Sequence, residues 1–145
     1  MAEEARGAES ANPTIVDRMQ ELLEAERAGI RCLSAMANIA PAGERKEFLV
    51  RLRNDEGRYC AGLHGLIRGR GTVPHDRVGS FAEKVLALSG DAERLALLVK
   101  GQAWVVRKID EIPASEMSRQ EKAFFADMRQ GHVVNIEACR KYLSA

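Results

Sequence analysis

Four stretches of this chain repeat apolar residues at helical spacing, and near the midpoint of each a polar side chain interrupts the stripe. With about 100° of rotation per residue, Glu26 falls in line with Ile15, Met19, Leu22, Ile30, Leu33 and Ala37. Glu56 and Tyr59 share a line with Leu52, Leu63 and Ile67. Gln102 lies among Leu95, Leu98, Val106 and Ile109, and His132, with Asn135 beside it, among Phe125, Met128, Ile136 and Cys139. Helices of this kind bury their stripes against one another, and packing them by their midpoints brings the polar residues to one level. A polar group left there without a partner costs about 1–3 kcal/mol, and more when it is charged. The pattern predicts an all-α bundle with a buried polar layer, satisfied either by a metal ion or by its own members.

Capping and breaking residues divide the chain. Residues 1–13 offer small and charged side chains without a periodic apolar face and read as a disordered tail ahead of one domain over residues 14–145. Thr14 with Asp17 forms a capping box that opens a helix over residues 14–40, closed by Pro41 and Gly43. A second helix covers residues 44–68 and ends at Gly69 and Gly71. Ser80 with Glu83 opens a short helix through Leu88, and Ser89-Gly90-Asp91 interrupts it and caps a third long helix over residues 91–111, before Pro113. Ser115, or Ser118 with Glu121, opens a fourth over residues 116–143. No stretch alternates with period two, so no sheet is expected. The connection from Gly69 to Asp91 is the longest, long enough for the second and third helices to run in the same direction. Four helices with one long crossover make the ferritin-like four-helix bundle topology.

Over residues 14–143 the chain resembles the ferritin-like superfamily. Di-iron members of that superfamily place a Glu on the first helix, Glu-x-x-His on the second, a Glu on the third and Glu-x-x-His on the fourth. Here Glu26 matches the first position, Glu56 and Tyr59 fall on the second, Gln102 replaces the third, and Arg129 with His132 falls on the fourth. More specifically, Asp55-Glu56, Leu97-Leu98-Val99-Lys100-Gly101-Gln102-Ala103-Trp104-Val105-Val106 and His132-Val133-Val134-Asn135-Ile136 look like signatures of an uncharacterised bacterial ferritin-like family, a domain of unknown function. Some of its members are joined to a ThiJ/PfpI-like domain, so the resemblance implies a fold and a ThiJ/PfpI-like partner, but no activity.

The departures from the di-iron pattern decide the chemistry. Gln is a poor ligand for a hard cation and Arg cannot coordinate one, so the di-iron site is degenerate. Glu26, Glu56 and His132, with Tyr59 as a fourth group, could hold a single iron, manganese or zinc ion with open positions. In the competing arrangement Arg129 is the internal cation, paired with Glu26 or Glu56, while Gln102, Tyr59, His132 and Asn135 complete a hydrogen-bonded layer. The first expectation for function is accordingly a non-catalytic structural or partner-binding bundle, with no catalytic residue. The alternative is a metal-binding protein or metal-dependent oxidoreductase. Arg129 separates them: turned inward it favours the former, turned to solvent it permits the latter.

The remaining features exclude more than they assign. A net charge of +1 with both signs interspersed offers no basic face for nucleic acid or anionic lipid. No apolar run approaches the roughly 20 residues of a membrane span, and no signal-peptide core opens the chain, so a cytoplasmic address is expected. Cys32, Cys60 and Cys139 are widely spaced and read as packed, reduced thiols. Gly62, Gly65 and Gly69 line one flank of the second helix, where they would admit a neighbour at close range. His64 and His75 read as surface histidines. Leu97 and Trp104 form a second apolar strip, turned away from Gln102, that a four-helix core leaves bare. Either the short helix around Phe81 and Val85 covers it, or a second subunit does, and a homodimer is expected.

Overall fold

The structure, a computed structural model, describes residues 13–144, so the expected tail lies, except for Pro13, outside the described residues. Helices occupy Ile15–Ile39 (α1), Glu44–Gly69 (α2), Phe81–Leu86 (α3), Asp91–Asp110 (α4) and Arg119–Ser144 (α5), with a 3₁₀ turn at Ala114–Glu116. No strand occurs among the described residues.

Two of the expected capping boxes form. Thr14, extended at ψ 167°, accepts from the Asp17 backbone N–H while its own N–H donates to the Asp17 carboxylate. Ser118 and Glu121 do the same at 3.1 and 2.8 Å, which places the start of α5 at residue 119 rather than 116. The preceding residues wind into the 3₁₀ turn instead, and Met117 is extended. Ser80 does not cap α3. Its ψ of 3° departs from the extended geometry that aims an N-cap hydroxyl at the third amide. Gly90, with no side chain to offer, precedes α4.

The core falls into two apolar clusters, and their membership fixes the helix directions. One cluster joins Leu33 and Met36 near the end of α1 to Leu49 and Leu52 near the start of α2, Leu95 and Leu98 near the start of α4, and Ile136 and Cys139 late in α5. The other joins Met19 and Leu22, early in α1, to Leu63 and Ile67, Val105 and Ile109, and Phe125 and Met128. Hence α2 and α4 run in the same direction, opposite to α1 and α5, and residues 70–90 cross the length of the bundle. That crossover is stapled down. Arg27 donates to the backbone carbonyl of His75 and contacts His64 Nε2 at 2.9 Å, while Gln20 bonds the His75 N–H and the Val73 carbonyl. Its beginning is held by Arg70, whose guanidinium grips Glu121 through two 2.7 Å bonds. His64 and His75 are thus half-buried partners of Arg27 rather than free surface groups.

The short helix α3 packs against both α1 and α4. Phe81 lies over Gly101, where a Cβ would come within 2.8 Å of its ring. Leu97 packs at the margin of the first cluster and Trp104 at that of the second, both half-buried within a single chain. Among the helix α2 glycines, Gly62 admits the Phe124 ring of α5, whereas Gly65 and Gly69 have no atom within 4 Å of a would-be Cβ. The close approach expected of all three occurs at one. No described helix is long and apolar enough to cross a membrane.

Candidate metal centre

Between the two apolar clusters, one residue from each long helix enters the core: Glu26 from α1, Glu56 from α2, Gln102 from α4 and His132 from α5. Their exposures are 1%, 4%, 5% and 1%. His132 Nε2 lies 2.8 Å from Glu26 Oε1 and 3.8 Å from Glu56 Oε2. One donor atom from each of these three residues falls within 4.8 Å of the other two, an arrangement that no other His, Cys, Asp or Glu trio shows among the described residues. Gln102 Nε2 donates to Glu56 Oε1 at 3.5 Å, which is long for a hydrogen bond.

The imidazole is oriented from behind. His132 Nδ1 lies 2.9 Å from the Met128 carbonyl one turn earlier, so Nδ1 carries a proton and Nε2 faces the carboxylates. Metal-binding histidines are commonly fixed in this way. Nε2 pairs with Glu26 Oε1 at 2.8 Å, whereas Glu56 Oε2 and Gln102 Oε1 lack hydrogen-bond partners. Two buried acceptors, one from α2 and one from α4, are therefore left unsatisfied. Burial pushes the Glu26 carboxyl above its ordinary range, against the pull of His132. Burial is the largest single influence on the His132 imidazole and would lower it, but the charge and hydrogen bond of Glu26, the Met128 carbonyl and Asp55 together outweigh it, and the net direction is upward.

The expected layer is corrected at three positions. Arg129 is exposed on the far side of α5 and makes a two-pronged surface pair with Asp110 of α4, at 2.7 and 3.1 Å. Its position three residues before His132 turns it about 60° off the buried line, and Asp110 supplies an anion in solvent. Asn135 is half-buried and donates to Asp55 Oδ2 at 3.1 Å, at the margin between α2 and α5. Tyr59 contributes its ring rather than its oxygen: the ring tilts against His132 with centroids 5.3 Å apart, while the hydroxyl accepts from Arg58 and abuts Gly131. Among the described residues no Lys or Arg bonds or pairs with Glu26 or Glu56.

Gly29 is a member of the site that the stripe pattern missed. A Cβ there would come 3.0 Å from Glu56 Oε1 and 3.1 Å from Cδ, so its missing side chain is the space the carboxylate occupies. The available signal was a glycine inside a helix, one turn after Glu26, where the residue type costs about 1 kcal/mol relative to Ala.

Cys32 and Cys139 are buried, and desolvation pushes both thiols up to about 11, in keeping with packing roles. The family described as a domain of unknown function, DUF6306, matches residues 13–141. No curated protein and no solved structure matches the chain.

Proposed function

The chain belongs to the DUF6306 family, and we propose that it is a metal-binding protein that holds one divalent ion, iron, manganese or zinc, on Glu26, Glu56 and His132 in a bundle of ferritin-like design. The observation that carries this reading is the convergence of two buried carboxylates and one imidazole with no Lys or Arg beside them among the described residues. Donors bound cis to one ion at about 2.1 Å lie about 3.0 Å apart, and trans donors about 4.2 Å. The spacings of 2.8 and 3.8 Å fall near that range. Two carboxylates and one imidazole suit Fe²⁺, Mn²⁺ or Zn²⁺ and leave coordination positions open. Such an ion would supply Lewis-acid or redox chemistry there. The directions of the helices and the single long crossover support the ferritin-like description.

A second reading rests on the 2.8 Å contact itself: an imidazolium of His132 paired with Glu26 in a purely structural layer that fixes helix register. It leaves Glu56 with the 3.5 Å amide of Gln102 and the imidazolium 3.8 Å away, a poor exchange for hydration of a buried carboxylate. The inward Arg129 that would have completed this arrangement is bound to Asp110 at the surface instead.

The test is elemental analysis of protein purified without a metal-affinity tag, beside His132→Leu and Glu26→Gln. The expected result is about one divalent ion per chain, lost in both variants. Metal-free wild-type protein that takes up none of the three ions and melts identically with and without chelator would establish the second reading.

A further inference from the structure

A cavity of about 510 Å³ lies between α1 and α4, bordered by Val78, Gly79 and Ser80 of the crossover and by Phe81 and Lys84 of α3. Three members of the polar layer, Glu26, Glu56 and Gln102, line it together with buried Leu98 and Val105, and half-buried Phe81 and Trp104 add aromatic walls. Small-molecule sites commonly have this size and combine apolar walls with a few polar groups. The polar groups of this one are short of a donor. Glu56 Oε2 and Gln102 Oε1 have no hydrogen-bond partner, although their residues are only 4% and 5% exposed. The nearby donors are committed elsewhere: His132 Nε2 pairs with Glu26 Oε1 at 2.8 Å and stands 3.8 Å from Glu56 Oε2, outside hydrogen-bond range. Gln102 turns its Nε2 to Glu56 Oε1. Flipping that amide would set its oxygen against a carboxylate, so the leftover acceptor belongs to the orientation that chemistry favours.

Four carboxylates, Glu21, Glu24, Glu26 and Glu56, line the cavity against three cations, Lys84, Lys100 and Arg107. The totals nearly cancel, and depth decides the sign. All three cations are exposed, where water and salt screen them. Glu26 and Glu56 are buried, where a charge acts through a lower dielectric. Of these two, Glu26 has His132, whereas Glu56 has only long contacts. A ligand that satisfies the buried wall therefore brings both positive charge and hydrogen-bond donors. A carboxylate brings neither, a hydroxyl brings a donor without charge, and a quaternary ammonium brings charge without a donor. A primary ammonium brings both, with three N–H donors on one small head. It also remains charged at neutral pH, since its lysine counterpart titrates at about 10.4.

We propose that this cavity binds a small primary amine with an apolar body, the ammonium donating to Glu56 Oε2 and Gln102 Oε1 and the body lying along Phe81, Leu98 and Trp104. The inference shares Glu56 with the metal reading above but does not rest on it. Ammonium and divalent ion are alternative occupants of one place, so the amine belongs to the metal-free centre and a bound ion excludes it.

Trp104 lines the cavity and is the only tryptophan, so its emission reports on binding directly. Hexylamine titrated into chelator-treated full chain should give a saturable change in Trp104 fluorescence, with hexanol, hexanoate and hexyltrimethylammonium each at least tenfold weaker. Glu56→Gln removes the charge at nearly constant shape and should weaken hexylamine about ten- to hundredfold, with circular dichroism confirming a folded protein. If that variant does not fold, Gln102→Leu serves, with a loss of about tenfold. The ligand series on wild-type protein decides the chemistry without any variant. The proposal is overturned if hexanol or hexyltrimethylammonium binds as tightly as hexylamine, if the folded variant binds hexylamine as wild type does, or if folded wild-type protein shows no saturable response. Metal uptake measured on the same preparations keeps the two ideas apart. Hexylamine binding to a protein that takes up no metal keeps the amine and removes the metal, whereas a protein that takes up metal yet ignores hexylamine when chelated does the reverse. If both bind, Zn²⁺ should displace hexylamine, and simultaneous binding without competition would refute the shared place.

Discussion

Gly29→Ala separates the requirements of the metal centre from those of the helix that carries it. Replacing a glycine inside α1 by alanine should stabilise the helix by about 0.8–1 kcal/mol through propensity alone. The added Cβ would stand 3.0 Å from Glu56 Oε1 and 3.1 Å from its Cδ, so the carboxylate must retreat by a few tenths of an ångström. Without metal that retreat is cheap, because a carboxylate ends a flexible side chain and Glu56 is otherwise held only by long contacts, the Gln102 amide at 3.5 Å and His132 Nε2 at 3.8 Å. Metal-free Gly29→Ala should therefore melt at or above the wild-type temperature, by up to about 3–5 °C for a domain of this size. With metal the same displacement acts on a ligand, and changes at groups that position ligands typically cost 10–100-fold in affinity. Calorimetric titration of chelator-treated protein with Mn²⁺ or Zn²⁺, beside thermal melts of the same samples, reads both effects. Unchanged metal affinity would refute the assignment of Glu56 as a ligand, and a loss of stability without metal would refute the mobility ascribed to it.

Three further outcomes follow from the same geometry. Arg129→Ala should leave metal content and the urea midpoint near wild type, because Arg129 is bound to Asp110 in solvent; loss of metal would return Arg129 to the layer. Glu121 is held down to about 2, chiefly by its hydrogen bonds to Arg70 and against its own burial, so the stability it contributes is full above about 4.5 and is lost as pH falls toward 2. At about 1.4 kcal/mol per pH unit that is about 3 kcal/mol, reduced to about 2 because the Arg70 side chain is 33% exposed; Glu121→Gln should show this deficit in urea unfolding at pH 7 and little of it at pH 2. Gly62→Ala should destabilise by about 1–3 kcal/mol because its Cβ meets the Phe124 ring, whereas Gly65→Ala, open on that side, should stabilise by about 0.5–1 kcal/mol, and thermal melts in the opposite order would contradict the packing.

What the sequence made legible was whatever depends on neighbours along the chain. Thr14 with Asp17, and Ser118 with Glu121, are readable because both partners of each box lie within one turn. The heights of Glu26, Glu56, Gln102 and His132 are readable because each stripe turns at a fixed angle and the helices pack by their midpoints. Partners across the bundle were not readable. Nothing local to Arg129 announces that Asp110 of α4 will stand beside it, and without that carboxylate an inward Arg was the simplest source of charge. Tyr59 shows the same limit at shorter range: its stripe position places the ring in the layer, but the hydroxyl follows Arg58, one residue away, and the gap at Gly131. Gly29 was visible only as an unfavourable residue type in a helix, a cost that acquires meaning once the Glu56 carboxylate is seen in the space it leaves.

The replacement of a third carboxylate by Gln102 also has a physical logic under the metal reading. Three buried carboxylates around one dication would leave a net negative charge in a layer with no Lys or Arg among the described residues to offset it, and uncompensated buried charge costs several kcal/mol. With Gln102, the two carboxylates of Glu26 and Glu56 balance one divalent ion, and His132 can remain neutral through its Nδ1 contact with the Met128 carbonyl. The amide then does what a carboxylate could not: its Nε2 donates to Glu56 Oε1, steadying one ligand from the side of α4. Removing a ligand from helix α4 opens the centre toward the cavity between α1 and α4, which Gln102 also lines. In this account the departure from a two-ion pattern and the access to the layer are two consequences of one residue, and the displacement of Arg129 to the surface is what leaves the charge of the layer to be met by an ion.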